Sequence, residues 1–109
     1  MPRPERDPRP LGELLSALAS RRGWNERMAI GKLRGAWAEV VGPVIAARSE
    51  PVSLRGGVLT VRAEGGGWAT ELTLLGASVA AKADAFLEGS ARVERVHVTA
   101  GPAGLSGAR

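Results

Sequence analysis

Cysteine is absent from this sequence, and histidine occurs once, at His97. These two facts remove disulfides, thiolate metal sites and cysteine nucleophiles, and leave too few ligands for a protein-held transition metal. Tyrosine is missing as well, and Phe86 is the sole phenylalanine. No apolar run approaches the about 18 residues that suggest a membrane-spanning helix. The opening MPRPERDPRP has neither the apolar stretch of a signal peptide nor an amphipathic targeting pattern. A cytoplasmic protein without a membrane partner is the simplest expectation. Catalytic patterns are equally scarce: no serine sits in a Gly-x-Ser-x-Gly elbow, the acids show no metal-ligand spacing, and His97 reads as a surface residue of a terminal strand. The sequence therefore predicts no catalytic residue, cofactor, metal or small-molecule substrate.

What is present is enough for one small domain. The chain has 109 residues, 44% hydrophobic and 24% charged, which are globular proportions. Fifteen basic residues against eleven acidic ones give a net charge of +4, and all but Lys32 and Lys82 of the fifteen are arginine. Arginine forks onto phosphates and stacks on bases, so the balance leans towards nucleic acid. A GC-rich coding sequence would also favour arginine, alanine and glycine. Residues 1–10, with four prolines and three arginines, read as a flexible arm, and 101–109, GPAGLSGAR, as a flexible tail.

Between them the apolar pattern alternates between two periods. Leu11, Leu14, Leu15 and Leu18 stand at helical spacing, followed by Arg21, Arg22 and Gly23, which read as the end of a first helix over 11–22. Asn25 can cap a second, whose stripe runs through Met28, Ile30, Leu33, Trp37, Val40 and Val41 until Gly42 and Pro43 interrupt it. One further turn over Val44–Ala46 fits. The segment from Pro51, the Arg55-Gly56-Gly57 turn and the alternating VLTVRA predict a hairpin with one buried face. Trp68, Leu72, Leu75, Val79, Ala83 and Phe86 then mark a single long helix ending at Gly89, and RVERVHV a closing strand. The predicted order is α-α-β-β-α-β: an α+β domain over 11–100, with a three-stranded sheet and its helices on one face, similar to KH-like modules.

Two sets of residues are candidates for binding. Lys32 and Arg34 on the second helix, with Arg48, Arg55 and Arg62 around the hairpin, form a phosphate-tracking patch if those polar faces adjoin; scattered solvated charge is the alternative. Gly65, Gly66 and Gly67 lead from a strand into a helix, where a phosphate can approach the helix N-terminus. Glu64 and Glu71 flank that site and would repel an anion, which favours a plain β-to-α turn. Of the tryptophans, Trp37 reads as core and Trp24 as a clasp between the first two helices. Trp68 reads as a rim residue, shielded poorly by its neighbouring glycines and open to partner contact along with Gly66 and Gly67.

The stretches PLGELLSALASRRGW and WAEVVGPVIAARSEPVSLRGGVLTVRAEGGGWATELTLL resemble the DciA family of bacterial replicative-helicase loaders or operators. The resemblance rests on Trp37 with Val40-Val41-Gly42, Ile45-Ala46, the strand led by Pro51, Gly57 with Leu59 and Val61, and Trp68-Ala69 with Leu72, over residues 10–102. It implies a KH-like domain without catalysis, which binds a hexameric DnaB-type helicase, assists its loading on single-stranded DNA and has affinity for DNA itself. Gly67 stands where the family usually has a small polar residue, and Arg48 where histidine is common. Family members often carry a long basic or disordered extension, which the short tails here do not supply. The alternative is a generic KH-like RNA-binding module. The absence of a GxxG loop between helices and of Phe, Tyr or Trp in 50–64 and 92–98 argues against it.

Overall fold

The computed structural model describes residues 8–101. In order these form α1 (Pro8–Gly35), α2 (Trp37–Val41), α3 (Pro43–Ala46), β1 (Ser49–Arg55), β2 (Val58–Glu64), α4 (Gly65–Leu74), α5 (Gly76–Leu87) and β3 (Arg95–Gly101). The sheet order is β1-β2-β3, with β1 antiparallel to β2 and β3 parallel to it. A parallel neighbour needs a crossover, and α4 with α5 provides it. The expected α+β domain with a three-stranded sheet is therefore what forms. Residues 1–7 of the expected arm and 102–109 of the expected tail lie outside the described residues.

The core sits between one face of the sheet and the helices. Leu54, Leu59, Val61 and Ala63 face inward, and Ala29, Leu33, Trp37, Val40, Leu72, Val79, Ala83 and Leu87 close over them. Alternation along β2 is complete, with every second residue buried, as a strand packed on one side requires. Trp37 is core, as its place on the stripe indicates. Its indole N–H donates to Ser49 Oγ at 3.0 Å, and that hydroxyl donates to the Ile45 carbonyl at 2.7 Å, so the indole's single donor is satisfied inside the core.

Two helix boundaries differ from the sequence reading. The predicted helices over 11–22 and 25–41 are one helix through Gly23, and the break falls instead at Ala36, whose φ of −126° leaves the helical region. An interior glycine costs only about 1 kcal/mol against alanine. With no proline beside it, Gly23 weakens the helix without stopping it. Trp24 consequently clasps nothing: it lies on the outer surface of α1, 57% exposed. The stop at Gly42 and Pro43 is where it was expected, since the proline ring cannot continue the hydrogen-bond ladder, and the extra turn forms as α3.

The predicted long helix from Trp68 to Phe86 is bent at Leu75, where α4 ends and α5 begins. The bend lets Leu72 from α4 and Val79 with Ala80 from α5 reach the core, while Leu75 and Phe86 turn out and are each 37% exposed. A straight stripe would have aimed all of them at one plane.

Gly57 joins the hairpin to the rest of the domain. Gly56 and Gly57 have φ of 57° and 81°, the two positive values of a type I′ turn. The Gly57 N–H donates to Glu26 Oε2 at 3.2 Å, and its carbonyl accepts from the N–H of Glu94 at 2.7 Å and of Arg95 at 3.2 Å. A Cβ at this glycine would stand 2.9 Å from Glu94 Cδ. Helix α1, the β1–β2 turn and the start of β3 thus meet at one residue.

Candidate nucleic-acid and partner interfaces

Among the described residues no helix covers the outer face of the sheet, and strand pairing fixes what it presents. Register sets Arg55, Val58 and Arg95 in one row, Thr60 and His97 in the next with Ser53 beside them, and Glu50, Arg62 and Thr99 in a third. Adjacent strands are about 4.8 Å apart, so Arg55 and Arg95 flank Val58 about 10 Å apart, within reach of neighbouring phosphates of one strand. Both are exposed, and among the described residues neither has an ion-pair partner. His97 is exposed on this face, as a surface strand residue should be.

The opposite end of the same face is neutralised. Arg62 Nη1 pairs with Glu50 Oε2 at 3.3 Å, and Arg48 Nη1 with Glu64 Oε1 at 2.6 Å. The Arg62 pair is about half exposed on both sides, where an ion pair contributes little and exchanges readily for another anion. Glu64 in the Arg48 pair is only 10% exposed, and its N–H also donates to the Arg48 carbonyl at 2.8 Å. That pair ties the entrance of β1 to the exit of β2. Free positive charge is therefore concentrated at the hairpin end.

The two helical candidates do not join this face together. Residues two apart on an α-helix point about 200° apart, and Lys32 and Arg34 accordingly leave opposite flanks of α1. Arg34 faces β1: its Nε donates to the Pro51 carbonyl at 3.2 Å and its Nη2 to that of Val52 at 3.0 Å. The register of β1 slips between Pro51 and Ser53, and the arginine satisfies carbonyls along this edge strand. Its role is structural first. Lys32 is exposed on the other flank, away from the strand cations. Of the five cations expected to bind phosphate, Arg55 and Arg62 stand on this face towards opposite ends of it, Arg48 lies at the far end paired with Glu64, and the helical pair does not join them. Arg95 is the addition, and only its register opposite Val58 could have revealed it.

The aromatic candidate lies elsewhere. Trp68 is half-buried and lines a hollow of about 330 Å³ with Ile45, Gly67, Glu71 and Leu75. Val44, 68% exposed on α3, is the residue before Ile45. Gly67 therefore belongs to this hollow, while Gly66 is exposed and does not line it. At Gly65, φ is +78°, so the first glycine serves the turn into α4; an added Cβ at Gly66 or Gly67 would touch nothing within 4 Å. Glu64 precedes the helix and is engaged by Arg48, with Glu71 about two turns further on. The glycine mouth is a β-to-α turn beside an apolar hollow.

Among the described residues no cluster of acids and histidine could hold a metal, and no helix is long and apolar enough to cross a membrane. Comparison with known proteins gives one consistent result. A family model described as "Dna[CI] antecedent, DciA" matches residues 10–98. A UPF0232 protein of Rhodococcus jostii is 41% identical over 95 residues, covering 87% of this chain and 50% of its own length. One from Mycolicibacterium paratuberculosis is 45% identical over 101 residues, 93% of this chain and 55% of its own. A third, from Mycobacterium tuberculosis H37Rv, is 44% identical over 101 residues, 93% of this chain and 53% of its own. The chain thus spans about half the length of the curated relatives it matches.

Proposed function

Because this chain belongs to the DciA family, we propose that it is a noncatalytic adaptor of DNA-replication initiation that docks on the replicative DnaB-type helicase and assists its loading on single-stranded DNA. The observation that carries this reading is the family match across nearly the whole described domain. The site geometry supports it: an open strand face with unpaired arginines, and a separate apolar hollow able to take a protein side chain. Two surfaces of different chemistry suit an adaptor that must hold a strand and a protein at once.

Single-stranded DNA lies across the outer sheet face, its phosphates held by Arg55 and Arg95 and, once Glu50 is displaced, by Arg62, with Arg48 at the far end. The strands offer no phenylalanine, tyrosine or tryptophan for base stacking, so contact is mainly through phosphates and is sequence-tolerant. The helicase is held at the hollow around Trp68 and Gly67, with Gly66 at its margin. Localisation is cytoplasmic, where replication takes place.

A pull-down with the cognate replicative helicase tests the partner, with Trp68→Ala expected to weaken capture. A fluorescence-anisotropy titration against salt tests the DNA face. Replacing Arg55 and Arg95 by alanine should lower the salt slope by about 1.4, and more than replacing the already paired Arg48. An unchanged slope removes the sheet face from the reading. Preference for an RNA oligomer over DNA of the same length would favour the generic RNA-binding alternative.

A further inference from the structure

A second hollow, of about 310 Å³, lies at the hairpin end between α1 and the loop that follows α5. Arg21, Arg22 and Asn25 line it from the helix and Arg92 from the loop, with Leu18 and Ala91 as its apolar part. Local sequence builds both walls. Leu18, Arg21, Arg22 and Asn25 stand at i, i+3, i+4 and i+7, one face of α1. Across from them, Glu88 and Gly89 take φ of 51° and 86°, left-handed values that turn the chain out of α5. Ala91 and Val93 are then buried, so Arg92 between them is directed outward, its side chain 71% exposed.

Three guanidinium groups share this hollow with one carboxylate, and that carboxylate is occupied. Glu26 is buried; its Oε2 accepts the Gly57 N–H at 3.2 Å and lies 3.6 Å from Arg22 Nε. Arg92 Nε is 3.7 Å from Asp84 Oδ1, an oxygen that also accepts the Val93 N–H at 2.9 Å. An ion pair so long and exposed contributes little and exchanges for another anion. Arg21 has no ion-pair partner among the described residues. The space is at the small end of ligand pockets, and the arginine fork matches phosphate.

The hollow adjoins the unpaired arginines of the sheet. Glu26 holds Gly57, Arg55 is two residues before that glycine, and the Arg95 N–H donates to its carbonyl at 3.2 Å. Arg92 is three residues before Arg95. Glu94, between them, lies over Gly57 and does not line the hollow. We infer that the hollow is a further phosphate site on the course of bound single-stranded DNA. The strand leaves the outer sheet face at Arg55 and Arg95, turns around the hairpin end and seats one nucleotide here, its phosphate among Arg21, Arg22 and Arg92. Leu18 and Ala91 give the sugar and base an apolar wall with no hydrogen-bonding readout, so this site too is sequence-tolerant. The inference rests on the DNA-binding reading above and extends it from the strands to α1.

Salt titrations of oligothymidylate binding, read by anisotropy, test it. Arg21→Ala combined with Arg92→Ala should lower the salt slope by about 0.7, the loss of one phosphate from a single strand. The urea midpoint should hold, because Arg22 stays beside Glu26 and Asp84 keeps the Val93 N–H. If this pair leaves the slope unchanged while the Arg55 and Arg95 pair lowers it, the hollow is not a phosphate site and the sheet reading stands; if neither pair lowers it, both fail. Because the chain has no cysteine, position can be read separately. Asn25→Cys keeps all three arginines and should form a disulfide with a thiol-tethered oligothymidylate at least about tenfold faster than Leu74→Cys, exposed on α4. Equal rates overturn the proposal. So does an unchanged slope with lost helicase capture, a result that would assign the hollow to an acidic protein surface.

Discussion

The two halves of α1 share one apolar stripe and meet opposite fates. In the second half Ala29 and Leu33 are 1% and 0% exposed, Glu26 pins the hairpin turn, and Arg34 holds the carbonyls of β1. In the first half, leucines on the same face are more than half exposed. Periodicity is equal in both, so it reports that a face is apolar and not what covers it. The junction is Gly23, where helix continues at reduced stability.

The largest contrast should come from matched truncations. Leu33→Ala removes a fully buried side chain and is expected to cost about 2–5 kcal/mol in urea unfolding, whereas Leu15→Ala should stay within about 0.5 kcal/mol at low protein concentration. Similar costs at the two positions would mean that the first half is packed in solution. Next in size is the pin between the halves: Glu26→Ala leaves the Gly57 N–H without its acceptor and should cost about 1–3 kcal/mol, read as a lower urea midpoint. The smallest effect has the opposite sign. Gly23→Ala adds a Cβ whose nearest neighbour is Arg27 Nη1 at 3.7 Å, and should raise stability and helical circular dichroism by up to about 1 kcal/mol. A loss there would show that the junction needs to bend.

The same division separates what was legible in the candidate sites. The hairpin, its Gly56-Gly57 turn, the core place of Trp37 and the half-covered Trp68 all follow from neighbours in sequence, because turn chemistry and strand alternation are local. The pairing of cations was not legible. Arg48 and Glu64 are sixteen residues apart, as a hairpin register alone can bring them together. Arg95 joins Arg55 only because β3 returns parallel to β2 with Arg95 opposite Val58. Lys32 and Arg34 looked like one patch because they are close in the chain, yet the helical turn sends them to opposite flanks and Arg34 is taken up by backbone carbonyls.

By itself the sequence determined the class of the molecule: three strands and their helices, a tight glycine turn, a basic balance of charge, and the tryptophan and glycine pattern of its family. These rest on periodicity, turn residues and composition, which act within a few residues. Tertiary structure alone decided where α1 stops being covered, where the crossover helix bends at Leu75, and which arginines keep their charge free. Each of those depends on which surfaces meet, and the extent of the sheet set that limit: among the described residues no strand runs beyond Gly57 for the leucines to pack on.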